Sequence, residues 1–158
     1  LEAAAASDCA LCLLHMQGAP LTMQRAPQYD DVVGEVRDFF TERLAATEEV
    51  GIARERLVLD PGFGFGKTLD HNLELLARLD ETVKREMTVL AGVSRKSMLG
   101  LLTGRAVGDR LTASVTAALL AIEHGAHIVR VHDVAETRDA LRLWSAVTSI
   151  RRGRLLGT

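Results

Sequence analysis

A chain of 158 residues with 47% apolar and 25% charged side chains is long enough to bury one globular core. Its net charge of −2, with both signs interspersed, argues against a nucleic-acid or membrane-surface partner. No apolar run is long enough to span a bilayer, and the N-terminus lacks a basic-then-apolar leader pattern, so a soluble, cytoplasmic protein is expected. The opening Leu1-Glu2-Ala3-Ala4-Ala5-Ala6 reads as a helix interior with neither an initiator Met nor an N-cap, as if cut from something longer. Residues 9–14 (Cys-Ala-Leu-Cys-Leu-Leu) read as a buried strand that ends at His15-Met16-Gln17-Gly18. The Cys9-x-x-Cys12 spacing has no second pair to complete a zinc site, so both cysteines are expected to pack as small apolar residues. Pro20 and Pro27 make residues 19–29 a loop. Asp30 or Asp31 then caps a helix that carries Val33, Val36, Phe40 and Leu44 on one face and closes at Gly51.

The next stretch organises the rest. Leu57-Val58-Leu59 is a continuous apolar run, as in a strand buried on both faces, and it leads straight into Asp60-Pro61-Gly62-Phe63-Gly64-Phe65-Gly66-Lys67-Thr68. Pro61 has no N–H and ends ladder pairing, while the three glycines permit positive φ and close approach of a ligand to the main chain. Neither common nucleotide motif fits. A P-loop needs Gly where Pro61 stands, and a dinucleotide fingerprint needs its third Gly where Lys67 stands.

A helix carrying Leu69, Leu73, Leu76 and Leu79 follows, and then a strand over 88–93 that exits at Ser94-Arg95-Lys96-Ser97. Gly104 and Gly108 flank a loop; Leu111, Val115, Leu119 and Ile122 mark a helical stripe that stops at Gly125. Residues 127–133 read as a strand ending in charge. Asp133 with Glu136 resembles a capping box for a last helix that is expected to bury Val134, Leu141, Trp144 and Val147, and the basic tail 151–158 is expected to fray. The order is βα four times, at a period of roughly 30 to 45 residues. Right-handed crossovers place such strands parallel and adjacent, which makes either half of an eight-fold barrel or a small open sheet, and the missing N-terminus favours the half barrel.

Parallel strands point their C-terminal ends to one side. His15-Met16-Gln17, Asp60, Ser94-Arg95-Lys96, and Arg130 with His132 are therefore expected around one mouth. A carboxylate there suits a planar amidine-like edge, such as that of a pterin or guanine, and Lys96 can donate to a ring carbonyl or ring nitrogen. Arg130 and His132 share a face beside the final helix, where an anionic leaving group is the natural guest. The competing structural reading joins Arg130 and His132 to Asp133 in an ion-pair network. His71, His124 and His127 read as non-catalytic.

At these residues the chain resembles the dihydropteroate synthase family of folate biosynthesis. The likeness rests on residues 59–67, on Ser94-Arg95-Lys96-Ser97, on Arg130-Val131-His132-Asp133-Val134, and on His15-Met16-Gln17-Gly18 followed by Tyr29-Asp30-Asp31-Val32. The resemblance implies a (β/α)8 barrel, of which residues 1–158 supply about four C-terminal βα units. It also implies condensation of 6-hydroxymethyl-7,8-dihydropterin pyrophosphate with p-aminobenzoate. By that likeness Asp60, Lys96, Gly92 and Met16 belong to the pterin, with Gly92 leaving room for the ring. Arg130 and His132 belong to the pyrophosphate; Phe65, Ser94 and Arg95 belong to the aminobenzoate side. No catalytic residue or metal ligand is assigned on this chain. Magnesium is implied as cofactor, its ligands coming mainly from the absent N-terminal half and the substrate's pyrophosphate; the open strand edges of a half barrel predict self-association, as a homodimer. Without that half the chain is expected to bind pterin weakly and turn over little. The rival readings are a pterin-dependent methyltransferase domain, which expels no pyrophosphate, and a non-catalytic half-barrel fragment.

Overall fold

The computed structural model describes residues 1–83, 86–151 and 153. Its four strands, β1 (Leu11–Leu14), β2 (Leu57–Asp60), β3 (Thr88–Ala91) and β4 (Ile128–Val129), form one parallel sheet in the order β1-β2-β3-β4. The register pairs Leu11 with Leu57, Val58 with Thr88 and Leu90 with Ile128, so the strand ends are aligned as expected. The helices are α1 (Glu2–Ala5), α2 (Val32–Glu49), α3 (Leu69–Ala77), α4 (Ser97–Thr103), α5 (Leu111–Glu123) and α6 (Val134–Arg151).

Alternation along the strands divides the sheet into two faces. Leu57, Leu59, Val89 and Ala91 are buried in one core with Val33, Val36 and Phe40 of α2 and Leu75 and Leu76 of α3. The intervening Val58, Asp60, Thr88 and Leu90 point to the opposite face. Asp31 stands at the N-cap of α2 as expected, yet its side chain makes no capping bond. Instead Glu35 reaches back to accept from the backbone N–H of Asp30 (2.9 Å) and of Asp31 (3.4 Å). Gly51 closes the helix with φ +78°.

Several expectations are corrected, each for a physical reason. β1 is not buried. It pairs with β2 on one side only, and Leu11, Leu13 and Leu14 are partly covered while Cys9 and Cys12 are exposed rather than packed. Helix α4 fills residues 97–103, between the strand exit and the loop flanked by Gly104 and Gly108, where no element was expected. Gly100 at its centre masks the helical pattern, and Gly104 (φ +68°) is its left-handed stop. The buried face of α5 is Ser114, Ala117, Ala118 and Ala121, because small side chains let the helix approach closely; the larger stripe lies on its flanks and Leu111 is exposed. On the last helix, Val134 and Val147 are exposed, and Leu141 and Trp144 are half-buried, since β4 is an edge and α6 packs chiefly on α5. β4 itself is two residues long, shorter than the run 127–133. Asp133 does not serve a capping box, as its carboxylate is taken by Arg95. The expectation of a frayed tail falls, apart from residues 151 and 153, outside the described residues. Among the described residues no helix is long and apolar enough to cross a membrane.

Candidate ligand site at the strand C-termini

β2 ends on Asp60, whose side chain is 1% exposed. Its Oδ1 accepts from the Gly62 N–H (2.9 Å) and its Oδ2 from Arg130 Nη2 (3.1 Å), a residue carried by the chain just after β4. A carboxylate has about four acceptor positions, so one on each oxygen remains for a ligand.

The glycine turn that follows is held from outside. A Cβ on Gly62 (φ +72°) would lie 1.8 Å from the His15 carbonyl oxygen, so only glycine fits between the ends of β1 and β2. Lys67 folds back under the turn, 4% exposed, and donates to the carbonyls of Gly62 (3.1 Å) and Phe65 (3.2 Å) and to His15 Nδ1 (2.9 Å). Asn72 accepts from Gly64 N–H (2.7 Å), Tyr29 donates to Gly66 O (2.9 Å), and Gln24 donates to Gly64 O. The loops after β1 and β2 thus form one body. Burial, the largest cause, pulls the Lys67 ammonium down to about 7; Asp60 partly opposes this and Lys96 adds to it. Burial, with Lys67 adjacent, also lowers His15 to about 4, which makes it a neutral acceptor at pH 7.

β3 delivers Gly92, Ser94 and Lys96. The Lys96 ammonium stands 4.2 Å from the centroid of the Phe65 ring, a cation–π distance. Burial, then the charge of Arg130, lowers its pKa, with Asp60 opposing. Ser94 Oγ accepts from the His132 N–H (3.2 Å) and lies 3.0 Å from His132 Nδ1.

Gly92, Ser94, Lys96, Arg130 and His132 line one cavity of about 220 Å³, with Val131 between the last two. Asp60 joins it through Arg130, and Phe65 through Lys96. The space above Gly92 holds the Arg130 guanidinium, which a Cβ would meet at 2.6 Å. Two expected members stand apart. Met16 is half-buried past the end of β1 and outside that cavity's lining, and the Arg95 guanidinium turns away to a bidentate pair with Asp133 (2.5 and 3.2 Å). That pair depresses the Asp133 carboxyl, chiefly through the hydrogen bond. The ion-pair alternative is thereby resolved: Asp133 belongs to Arg95, and Arg130 to Asp60. A larger cavity of about 320 Å³ under α2, walled by Phe40, Leu44, Leu59 and Met87, carries none of the strand-end groups.

Sequence reasoning missed Lys67, Asn72 and Tyr29. The signal for Lys67 was present, since a turn of three alternating glycines leaves carbonyls that need an internal donor, and the lysine closing it is the nearest one.

The arrangement offers two cations and an imidazole on a small cavity, with a buried carboxylate bonded to one of the cations. It can bind a flat heterocycle with an N–H edge beside an anion. Comparison with known proteins agrees. The model of the family described as pterin binding enzyme matches residues 1–132. The chain belongs to the pterin-binding enzymes. As such it is 51% identical over 154 residues to the dihydropteroate synthase of Escherichia coli K12, an alignment that covers 98% of this chain and 55% of that protein. The dihydropteroate synthase of Stenotrophomonas maltophilia, solved with imidazole in its active site, superposes with a TM-score of 0.91 at 52% identity, covering 94% of this chain and 57% of that one. The Burkholderia cenocepacia enzyme complexed with 7,8-dihydropteroate gives 0.85 at 51%, covering 92% and 55%. This member of the family thus spans about half the length of the relatives it matches. Its four parallel βα units are part of a (β/α)8 barrel, not a small open sheet.

Proposed function

We propose that this chain is the C-terminal part of a single dihydropteroate synthase barrel and carries its pterin and pyrophosphate contacts. The observation that supports this most is that Lys96 and Arg130 line one cavity and Arg130 bonds the buried Asp60, although the three are spread over 71 residues of sequence. In this reading Asp60 accepts two N–H bonds from the pterin's amino edge, Lys96 donates to its carbonyl side, and Met16 borders the ring. Arg130, 52% exposed, swings off the Gly92 surface to make room for the ring and follows the pyrophosphate, where His132 joins it. Phe65 and Ser94 border the aminobenzoate. Arg95 contributes to that side as a backbone strut, since its side chain is held by Asp133.

The reaction breaks the bond between the pterin's CH₂ and the pyrophosphate oxygen, whose electron pair leaves with the diphosphate. The aniline lone pair then forms the C–N bond, and its proton leaves to solvent. Neutralising the departing anion and aligning two rings are what these residues supply. The residues present do not make a magnesium site by themselves: Asp60 is a single carboxylate, and its neighbours Arg130, Lys96 and Lys67 are cations. Among the described residues no cluster of three or more His, Cys, Asp or Glu side chains could hold a metal ion. A homodimer in the cytoplasm belongs to the same reading.

Pyrophosphate competition tests the reading. Titrating the chain with the pterin pyrophosphate, followed by quenching of the ligand's own fluorescence, is expected to show binding that inorganic pyrophosphate displaces. Binding indifferent to pyrophosphate instead favours the methyltransferase reading, and no binding favours an inert fragment.

A further inference from the structure

Arg95 is the one non-glycine residue with positive φ (+56°) among the described residues. It sits between Ser94, bonded to His132, and Lys96, laid over Phe65, so its conformation sets where both neighbours point. Left-handed backbone is unfavourable for a side chain of this size and persists only when the surroundings impose it. The restraint comes from the start of α5. Ser114 Oγ accepts from the Arg95 N–H (2.9 Å), and Arg110 Nη1 donates to the carbonyls of Arg95 (3.1 Å) and Lys96 (3.2 Å). Arg110 is itself fixed. Its Nε donates to Arg105 O (3.0 Å), and its guanidinium lies on Gly100 of α4, where a Cβ would come within 2.1 Å of Nη2. The helix-weakening glycine therefore has a use as the slot for this side chain.

We propose that Arg110, seated on Gly100 and assisted by Ser114, is a positioning residue that holds residue 95 left-handed and thereby aims Lys96 across the pterin cavity. The functional part of this inference rests on the reading of that cavity given above. A guanidinium can donate to two successive carbonyls from Nη1 and to a third from Nε while it lies against a glycine, a fixed fork that a single ammonium does not offer. Without Arg110 the peptide after Arg95 is free to turn over, and Lys96 leaves the Phe65 ring.

The chain has three lysines, Lys67, Lys84 and Lys96, so ¹³C-dimethylation, which retains the charge, gives a readable spectrum. The Lys96 signal, assigned with Lys96→Arg, is expected to be shifted upfield by the ring beneath it. In Arg110→Ala that shift is expected to be lost, with pterin affinity lowered about tenfold or more. Adding Arg95→Gly to Arg110→Ala is expected to restore the Lys96 signal, because glycine adopts positive φ without strain. If Arg110→Ala does not fold, Ser114→Ala carries the same expectation. A folded Arg110→Ala or Ser114→Ala variant with the Lys96 signal unmoved would overturn the proposal. Loss of the Lys96 shift in a protein that binds no pterin before or after substitution leaves the positioning role standing and removes the assignment of the cavity.

Discussion

Asp60→Asn is expected to lower the affinity for a pterin by about 100-fold while changing thermal stability far less. The carboxylate is buried, and the two acceptor positions left to a ligand match the two N–H groups of a pterin's amino edge. Hydrogen bonds to a charged acceptor contribute about 1.5–3 kcal/mol each, so two of them support a loss near 3 kcal/mol, about a hundredfold. Asparagine keeps the shape but turns one oxygen into a donor that faces the ligand's donors. Stability changes less because asparagine still accepts from the Gly62 N–H, and the Arg130 guanidinium, half in solvent, is hydrated when its pair is lost. Ligand titration beside thermal unfolding separates the two effects. Equal affinity in parent and variant would remove Asp60 from the site.

Gly62→Ala is expected to be the most destabilising single methyl on the chain. Its Cβ would overlap the His15 carbonyl oxygen at 1.8 Å, a backbone atom that cannot rotate away. His15 in turn donates its N–H to Asp60 O (3.0 Å), and its ring meets Lys67, so relieving the clash pulls β1 from β2 and disturbs the buried lysine. Left-handed strain adds about 1 kcal/mol, and the total is on the order of 4 kcal/mol, worth about 10 °C in a domain of this size. Gly51 supplies the control. It has nearly the same φ, +78°, with nothing within 4 Å of a Cβ, so Gly51→Ala carries the strain alone. Urea midpoints of the two variants compare them directly, and similar values would show that the packing at Gly62 yields more readily than its geometry implies.

How much of this was legible depended on what each residue signals locally. Leu57-Val58-Leu59 and the alternating glycines announce a buried strand and a tight turn by composition alone, and Val33, Val36 and Phe40 announce their helix by period. Parallel order then followed, and with it the meeting of Asp60, Lys96 and Arg130. Burial was harder to read. Cys9–Leu14 looks like a core strand, but whether a strand has a neighbour on both sides is decided by partners far along the chain. The face of α5 misled for a related reason: apolar periodicity ranks large side chains first, whereas the sheet selects the small face that can come close. Gly100 hid a helix because its purpose, a seat for Arg110, lies ten residues away. Nothing in the letters Ser94-Arg95-Lys96 marks the middle residue as left-handed, since the bonds that impose it come from Arg110 and Ser114.

The most direct test of the shared cavity is a crystal structure of the chain grown with a pterin and inorganic pyrophosphate. The pterin's amino edge is predicted within about 3 Å of both Asp60 oxygens, with Lys96 at its carbonyl side and the diphosphate between Arg130 and His132. A pterin seated away from Asp60, with Arg130 still lying over Gly92, would contradict it.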